Sequence, residues 1–182
     1  TGVNGALGTV ASGLVYQDKI VDESFKLWIY DGNGDLVDGD AVTVNIVAGT
    51  TTLTSLSAAI NTKVGLTAAV GRIGASMSDN TLTIDANSGF TFAFSEDTSN
   101  VLAALGINTF FSGSSAENIA VNDSIGSNIN AIAAAQVNVD GSFAAGDNRN
   151  AMAVSDLQYA SQNISRWTCD RINGNTEGTI TT

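Results

Sequence analysis

Two runs of alternating apolar residues, separated by a short stretch of aspartates and glycines, constrain the fold more than any other feature of this sequence. In the first run, "SFKLWIYDG" (residues 24–32), the residues that share one face are Phe25, Leu27 and Ile29. In the second run, "AVTVNIVAG" (residues 41–49), the corresponding residues are Val42, Val44 and Ile46. Alternation with period two, rich in aromatic and β-branched side chains, is typical of a half-buried strand. The sequence therefore predicts a pair of strands with one face on a hydrophobic core.

The stretch between these runs, "DGNGDLVDGD" (residues 31–40), has the composition of a calcium loop. An EF-hand loop carries Asp or Asn at its first, third and fifth positions, then Gly, and later a Glu that closes the site. The candidate ligands here are Asp31, Asn33, Asp35 and Asp38. However, Leu36 stands where that loop needs glycine, and Val42 stands where it needs glutamate. Asn-Gly and Asp-Gly between strands are strong hairpin signals, so the sequence favours a solvated turn and keeps calcium as the alternative.

The middle of the chain alternates between short helical and strand-like segments. "TTTLTSLSAAINTKVG" (residues 50–65) predicts a short helix capped by Thr54 or Ser55. Strands are expected at "LTAAVGRIG" (66–74), "NTLTIDA" (80–86), "FTFAFS" (90–95), "INTFFSG" (107–113) and "NIAVN" (118–122). Further small helices are expected after Ser95, Thr98 or Ser99, and at "SNINAIAAAQ" (127–136) after a Ser127 cap.

The longest predicted helix lies near the end of the chain, in "GDNRNAMAVSDLQYASQNISRW" (residues 146–167). Asp147 or Asn148 is expected to cap about four helical turns. Apolar residues recur at four- and three-residue steps, and we call them the helix seam: Ala153, Leu157, Ala160 and Ile164. A seam this narrow suits packing against another long helix, and ordinary packing on the chain's own core gives the same spacing. The sequence leaves both arrangements open.

The composition removes most kinds of catalytic and metal chemistry. The chain contains no His, which excludes Ser–His and Cys–His sites and His-based metal centres. Cys169 is the one cysteine, so neither an internal disulfide nor a CxxC site can form. The neighbouring carboxylates Glu96 and Asp97 are better explained as acids that favour a helix start than as an acid–base pair. We therefore predict no catalytic residues, no cofactor and no bound metal.

The charge balance excludes two classes of partner. Asp and Glu number 18 against 7 Lys and Arg, for a net charge of −11. A surface this acidic repels phosphate backbones and anionic lipids, so neither nucleic acid nor a membrane is expected as a partner. No apolar run approaches the roughly 20 residues needed to span a bilayer.

Two longer motifs resemble segments of one bacterial family. "EDTSNVLAALGINTFFSGSSAENIAVND" (residues 96–123) and "GDNRNAMAVSDLQ" (residues 146–158) are similar to segments of the flagellar hook-associated protein 1 family, the first hook–filament junction protein. The second motif matches at Gly146, Asp147, Asn148, Asn150, Ala151, Leu157 and Gln158, and it departs from the family at Arg149, where a small polar residue is usual. "TTTLTSLSAAINTKVGLTAAV" (residues 50–70) resembles a repeat found more widely in flagellin-related axial proteins. The resemblance covers most of residues 50–165.

This resemblance implies an extracellular structural protein of the bacterial flagellum, exported through the flagellar type III apparatus. Its partners would be other copies of itself in a ring, the hook protein, the second hook–filament junction protein and an export chaperone. The chain would be a central fragment without the terminal helices of the family. The expected fold is α+β, with a mainly antiparallel β outer domain and short helices, plus one longer α-helix of a helical rod domain.

The expected fold divides the chain into three segments. Residues 1–24 are expected to form a linker and edge strand, residues 25–145 the outer domain, and residues 146–182 the helix and the start of a hairpin of the inner rod domain. The helix seam is the predicted assembly surface. The alternatives are another flagellar axial protein (filament cap, second junction protein or flagellin), a calcium-dependent surface adhesin that uses the acidic stretch, and a carbohydrate-active enzyme, which lacks a convincing carboxylate pair.

Overall fold

A computed structural model describes residues 5–107, 109–129 and 132–161, and the backbone of residues 166–172 and 175–181. The strands are β1 (Glu23–Asp31), β2 (Val42–Ile46), β3 (Ile73–Ser78), β4 (Thr81–Ala86), β5 (Phe90–Ser95), β6 (Phe111–Ser112), β7 (Ala120–Val121), β8 (Arg166–Ile172) and β9 (Asn175–Thr181). The α-helices are α1 (Leu53–Val64), α2 (Val101–Ala104), α3 (Asp123–Ser127) and α4 (Arg149–Asp156). Every strand pairing among these residues is antiparallel. The described chain therefore mixes antiparallel sheets with a few short helices, which confirms the α+β class at this level.

The predicted strand pair lies at the centre of the fold. β1 is the middle strand of a three-stranded sheet in the order β2–β1–β5. On β2, Val44 lies opposite Phe25 and Val42 opposite Leu27. On β5, Phe94 lies opposite Leu27 and Phe92 opposite Ile29. Phe25, Leu27 and Ile29 are all buried in the main core, so the predicted core face of β1 is confirmed.

Helix α1 packs against β2 and β3 and closes the core. Its buried residues are Leu53, Leu56, Ser57, Ile60 and Val64. The helix begins two or three residues earlier than predicted, because the N-cap is Thr52 rather than Thr54 or Ser55. Thr52 Oγ1 accepts a hydrogen bond from the Ser55 N–H at 3.1 Å, and Ser55 Oγ accepts one from the Thr52 N–H at 2.8 Å. This reciprocal capping box, together with the burial of Leu53 at the first helical position, fixes the start of α1.

The N-terminal segment contributes to the core without forming a strand. Residues 5–22 contain two 3₁₀ helices, Val10–Ser12 and Gln17–Lys19, so the expected edge strand is absent from this part of the chain. Leu7, Leu14 and Ile20 are nevertheless buried in the main cluster. Leu7 is held by two backbone hydrogen bonds. The Leu7 N–H donates to the Thr51 carbonyl at 2.7 Å, and the Leu7 carbonyl accepts from the Gly49 N–H at 2.6 Å. These apolar residues have no regular spacing, so the sequence pattern did not reveal their burial.

Two elements in the middle of the chain differ from the predictions. The strand expected across residues 66–74 begins only at Ile73, because residues 65–72 form successive turns that include Gly71 at a φ of +71°. The prediction of a helix at residues 127–136 is wrong, because α3 ends at Ser127 and residues 132–136 are not helical.

The C-terminal helix is shorter than predicted. α4 has 8 residues and continues into a 3₁₀ turn, Leu157–Tyr159, instead of forming four α-helical turns to Trp167. β8 begins at Arg166 and pairs with β9. Arg166 lies opposite Thr181 at one end of this pair, and Ile172 lies opposite Asn175 at the other. Threonine and isoleucine are frequent in these strands, and β-branched residues favour extended backbone over helix. No helix among the described residues is long and apolar enough to span a bilayer.

The second face of β1 is also covered, at Trp28 and Tyr30, so the expectation that β1 is half-buried was wrong. Trp28 is 3% and Tyr30 2% exposed. The Tyr30 hydroxyl donates a hydrogen bond to the Gly141 carbonyl at 2.7 Å, and its ring lies 4.6 Å from the ring of Phe143. Trp28 Nε1 donates to Ser95 Oγ on β5 at 2.8 Å. Burial, with a contribution from the negative charge of Asp140, raises the pKa of Tyr30 to about 12.

Candidate assembly surface

The acidic stretch forms a turn that uses its first carboxylate internally. Asp31 Oδ1 accepts hydrogen bonds from the backbone N–H groups of Asn33 at 2.8 Å and Asp35 at 3.0 Å. The Asn33 amide donates to Asp31 Oδ2 at 3.4 Å. The Asn33 and Asp35 amides hold the pKa of Asp31 below its ordinary value. The Asp31 carboxylate therefore acts as the cap of its own turn.

Asp38, another candidate calcium ligand, is bonded to a different segment of the chain. Asp38 Oδ2 accepts a hydrogen bond from the Ala68 N–H at 2.8 Å, which ties the turn to the loop after α1. Across the described residues, no group of three or more Asp, Glu, Cys or His side chains is placed to hold a metal ion. The stretch is a structural turn joined to a neighbouring loop.

The two adjacent carboxylates at 96 and 97 have separate partners. Glu96 Oε1 lies 2.8 Å from Lys26 Nζ on β1. Asp97 Oδ2 accepts from the Leu102 N–H at 2.9 Å, and Asp97 Oδ1 accepts from the Ser99 hydroxyl at 2.7 Å. Asp97 therefore satisfies the start of α2, while Glu96 forms an ion pair across the sheet. Cys169 and Trp167 belong to β8, and their side chains lie outside the described residues.

The start of α4 is held by an ion pair inside the "GDNRN" motif. Arg149 Nε lies 3.0 and 2.9 Å from the two carboxylate oxygens of Asp147, and Arg149 Nη2 lies 2.6 Å from Asp147 Oδ2. Arg149 Nη2 also donates to the Gln136 carbonyl at 3.0 Å and to Asn138 Oδ1 at 2.7 Å. The Arg149 guanidinium holds the pKa of Asp147 far below its usual range. Arg149, the residue that departs from the family pattern, thus connects α4 to the segment before it.

Two further side chains of the motif contact the same segment. Asn150 Nδ2 donates to the Ala133 carbonyl at 2.6 Å, and the Asn150 N–H donates to the Ala134 carbonyl at 3.0 Å. Asp147 Oδ2 accepts from the Gln136 N–H at 3.1 Å. We call Asp147, Arg149 and Asn150 the α4 anchor. The anchor fixes the first turn of α4 to residues 133–138, chiefly through backbone groups of that segment.

Beyond the anchor, the apolar residues of α4 are exposed to solvent except Val154, which is half-buried. No residue of α4 is buried. Of the helix seam, Ala153, Leu157 and Ala160 are all exposed, and Leu157 is 57% exposed. The fourth seam residue, Ile164, lies outside the described residues. The sequence left two arrangements open for the seam, packing on the core of this chain or packing against another helix. The three described seam residues do not pack on the core of this chain.

A second exposed apolar face was not singled out by the sequence patterns. Phe111 of β6 lies opposite Val121 of β7, and Ile119 precedes Val121 by two residues. All three are solvent-exposed. The Tyr16 hydroxyl donates to the Gly113 carbonyl at 3.0 Å and ties this hairpin to the N-terminal segment. The alternation in "NIAVN" was the available signal, but alternation does not indicate whether a face will be covered.

Two comparisons of the sequence with known proteins found no match. No family model matches the chain. No curated protein sequence matches it. A function for this chain is therefore inferred from the motifs in the sequence, from the exposed seam and from the α4 anchor.

Proposed function

We propose that this chain is part of a structural protein of the bacterial flagellum at the hook–filament junction, where it connects hook to filament by self-assembly. The observation that carries the proposal is the exposed apolar row Ala153, Leu157 and Ala160, which runs from α4 through the 3₁₀ turn to the residue that follows it. An exposed apolar row at four- and three-residue steps, which begins on a helix with no buried residue, needs a partner. Isolated helices shorter than about 12–15 residues are marginal in water, so an 8-residue helix gains most of its stability from packing.

The anchor gives that seam a fixed direction. Because Asp147, Arg149 and Asn150 bind the segment at 133–138, α4 leaves the β-rich part of the chain at a defined point. We place residues 25–145 in an outer domain and residues 146–182 in a helical rod domain that other helices complete. The "GDNRNAMAVSDLQ" and "EDTSNVLAALGINTFFSG" resemblances support the assignment to the hook-associated protein 1 family in particular.

The proposal includes the partners and location that go with such a role. The protein would be exported through the flagellar type III apparatus and act outside the cell. There it would contact other copies of itself in a ring, the hook protein and the second hook–filament junction protein. The seam residues act by packing, and no catalytic step is part of the mechanism.

The first test places a charge on the seam of the full-length protein in its own cells. Leu157→Asp should abolish or strongly reduce swimming and leave hooks without filaments, because a carboxylate cannot be buried between helices without a partner. The matched control is Leu66→Asp, since Leu66 is 82% exposed in the loop after α1 and lies outside the seam. Normal filaments and swimming in Leu157→Asp cells, with the protein present at normal level, would contradict the proposal.

The second test locates the protein. Immunogold electron microscopy with antibody against this chain should label a narrow band where hook meets filament. Label along the filament or at its tip would assign the chain to a different axial protein. Label scattered over the cell body would reject a flagellar role.

A further inference from the structure

β5 has a free edge that faces a groove. β5 is an outer strand of the three-stranded sheet and pairs only with β1 among the described strands. Five consecutive residues, Phe92 to Glu96, line the groove. Successive side chains of a strand point to opposite faces, so a groove that meets all five must run along the edge of the strand rather than over one face.

The opposite wall of the groove is an irregular segment. Residues 132–137 line it continuously, and Phe110, Ile125 and Val154 close its sides. The α4 anchor holds this wall in place through the carbonyls of Ala133 and Gln136. The cavity volume is about 1230 Å³, above the roughly 300–1,000 Å³ of most small-molecule pockets. The space is therefore large enough for an extended peptide.

The β5 strand itself lacks the charged residues and proline that often protect an outer strand. Natural edge strands carry charged residues, proline or bulges that discourage pairing with another chain. The strand "FTFAFS" contains none of these charges and no proline. No hydrogen bond to another described segment is formed by the backbone N–H or C=O of residues 91–95, apart from those within the sheet. Half of the backbone groups of such a strand point away from its partner and remain available.

We propose that the free edge of β5 binds an extended, apolar segment of a cationic partner, which adds a fourth strand to the sheet. A second copy of this chain fits poorly, because the β5 edge of each copy lies within its own groove behind residues 132–137. The net charge of −11 also makes two copies repel each other and attracts cationic chains. The lining itself carries one charged side chain, the carboxylate of Glu96, and no Lys or Arg.

The expected recognition follows from strand pairing. Main-chain hydrogen bonds to β5 provide affinity, and alternate side chains of the incoming segment enter the apolar part of the groove. β5 has six residues, so a partner segment of similar length pairs along its whole edge. The seam residues Ala153, Leu157 and Ala160 do not line the groove, and the seam requires a helix rather than a strand, so the two proposals can be tested separately.

The test uses the whole chain and a synthetic hexapeptide of alternating valine and lysine. Trp28 reports on the groove, because its Nε1 donates to Ser95 Oγ on β5, and a Trp167→Phe background leaves Trp28 as the single tryptophan. We expect saturable binding that changes Trp28 fluorescence and slows amide hydrogen exchange in residues 91–95. Ala133→Phe, which fills the groove from an exposed position on the opposite wall, should weaken binding by about tenfold or more. Ala116→Phe, at an exposed alanine outside the groove, is the matched control.

Several results would overturn the proposal. Absence of saturable binding at millimolar peptide rejects the site. Equal binding of a peptide N-methylated along one edge rejects strand pairing, and equal binding of a valine–glutamate peptide rejects the cationic preference. Unchanged affinity in folded Ala133→Phe places the peptide elsewhere. If Ala133→Phe fails to fold, the proposal is tested by amide hydrogen exchange in the unsubstituted chain. Exchange rates in residues 91–95 that do not change under saturating peptide would also reject the proposal.

Discussion

Gly141 should be the glycine whose replacement by alanine is most damaging on the second face of the sheet. Its φ is +79°, and a Cβ added there would overlap the ring of Trp28 and lie 3.0 Å from Leu36 Cδ1. Its carbonyl also accepts the buried hydrogen bond from the Tyr30 hydroxyl. Gly141→Ala therefore combines backbone strain with a collision against a side chain that is 3% exposed.

Gly146 provides a control that separates these two effects. Its φ is also +79°, but no atom lies within 4 Å of the position that a Cβ would occupy. Left-handed backbone costs a non-glycine residue roughly 1–2 kcal/mol, and both variants share that loss. Overpacking a filled site adds about 1–3 kcal/mol, which applies to Gly141→Ala alone. We expect Gly141→Ala to lower the free energy of unfolding by about 2–5 kcal/mol, which is a large part of the roughly 5–15 kcal/mol of a typical protein.

Urea denaturation followed by circular dichroism measures both variants. Trp28 fluorescence in a Trp167→Phe background shows whether the segment around Gly141 has moved away from the sheet, because exposure of Trp28 to water shifts its emission to longer wavelength. Equal losses of stability in Gly141→Ala and Gly146→Ala, with unchanged Trp28 emission, would show that residues 137–143 do not pack on Trp28 as described. The burial of the second sheet face would then be wrong.

Three further outcomes are expected. The pKa of Tyr30 is raised to about 12 in the folded protein, so the free energy of unfolding should fall as the pH rises above about 10, the pKa of tyrosine in the unfolded chain. Tyr30→Phe should remove that fall. The same alkaline loss of stability in the variant would contradict the raised pKa of Tyr30. The pKa of Asp147 is depressed by Arg149, so the ionised Asp147 side chain stabilises the fold above about pH 4, and this stabilisation is lost as the pH falls further. The melting temperature of Asp147→Asn should therefore depend less on acid pH than that of the unsubstituted chain. Identical pH profiles for the two proteins would argue against the α4 anchor. Calorimetric titration with calcium should give no binding heat, because Asp31 already accepts two backbone N–H groups, whereas micromolar binding would revive the adhesin alternative.

The sequence predicted those parts of the fold that depend on a regular pattern. The alternation of Phe25, Leu27 and Ile29 correctly indicated the core face of β1, and the Asp-Gly-rich stretch correctly indicated a turn. Burial that depends on irregular segments was missed. Trp28 and Tyr30 are covered by residues around Gly141 and Phe143, which have no period that connects them to β1.

The candidate surface shows the same division between local pattern and tertiary context. The spacing of Ala153 and Leu157 identified an apolar row, and both residues lie on one exposed stretch of chain. The length of the helix was overestimated because apolar spacing continues to Ile164, while spacing alone does not locate a helix end. The anchor was recognised only as a capping motif. Its bonds to residues 133–138 join residues 11 to 17 positions apart, and such contacts leave no periodic trace in the sequence.

The anchor also determines which substitutions related chains can tolerate. Arg149 and Asn150 bind the carbonyls of Gln136 and Ala133, and carbonyls are present whatever side chain stands at those positions. The segment before α4 can therefore diverge in sequence while it keeps its attachment, provided that proline does not remove the N–H that Gln136 donates to Asp147. The motif residues have no such freedom, because their side chains form the bonds. An alignment of close relatives should accordingly show a variable segment followed by a short block in which Asp147 and Asn150 hardly change.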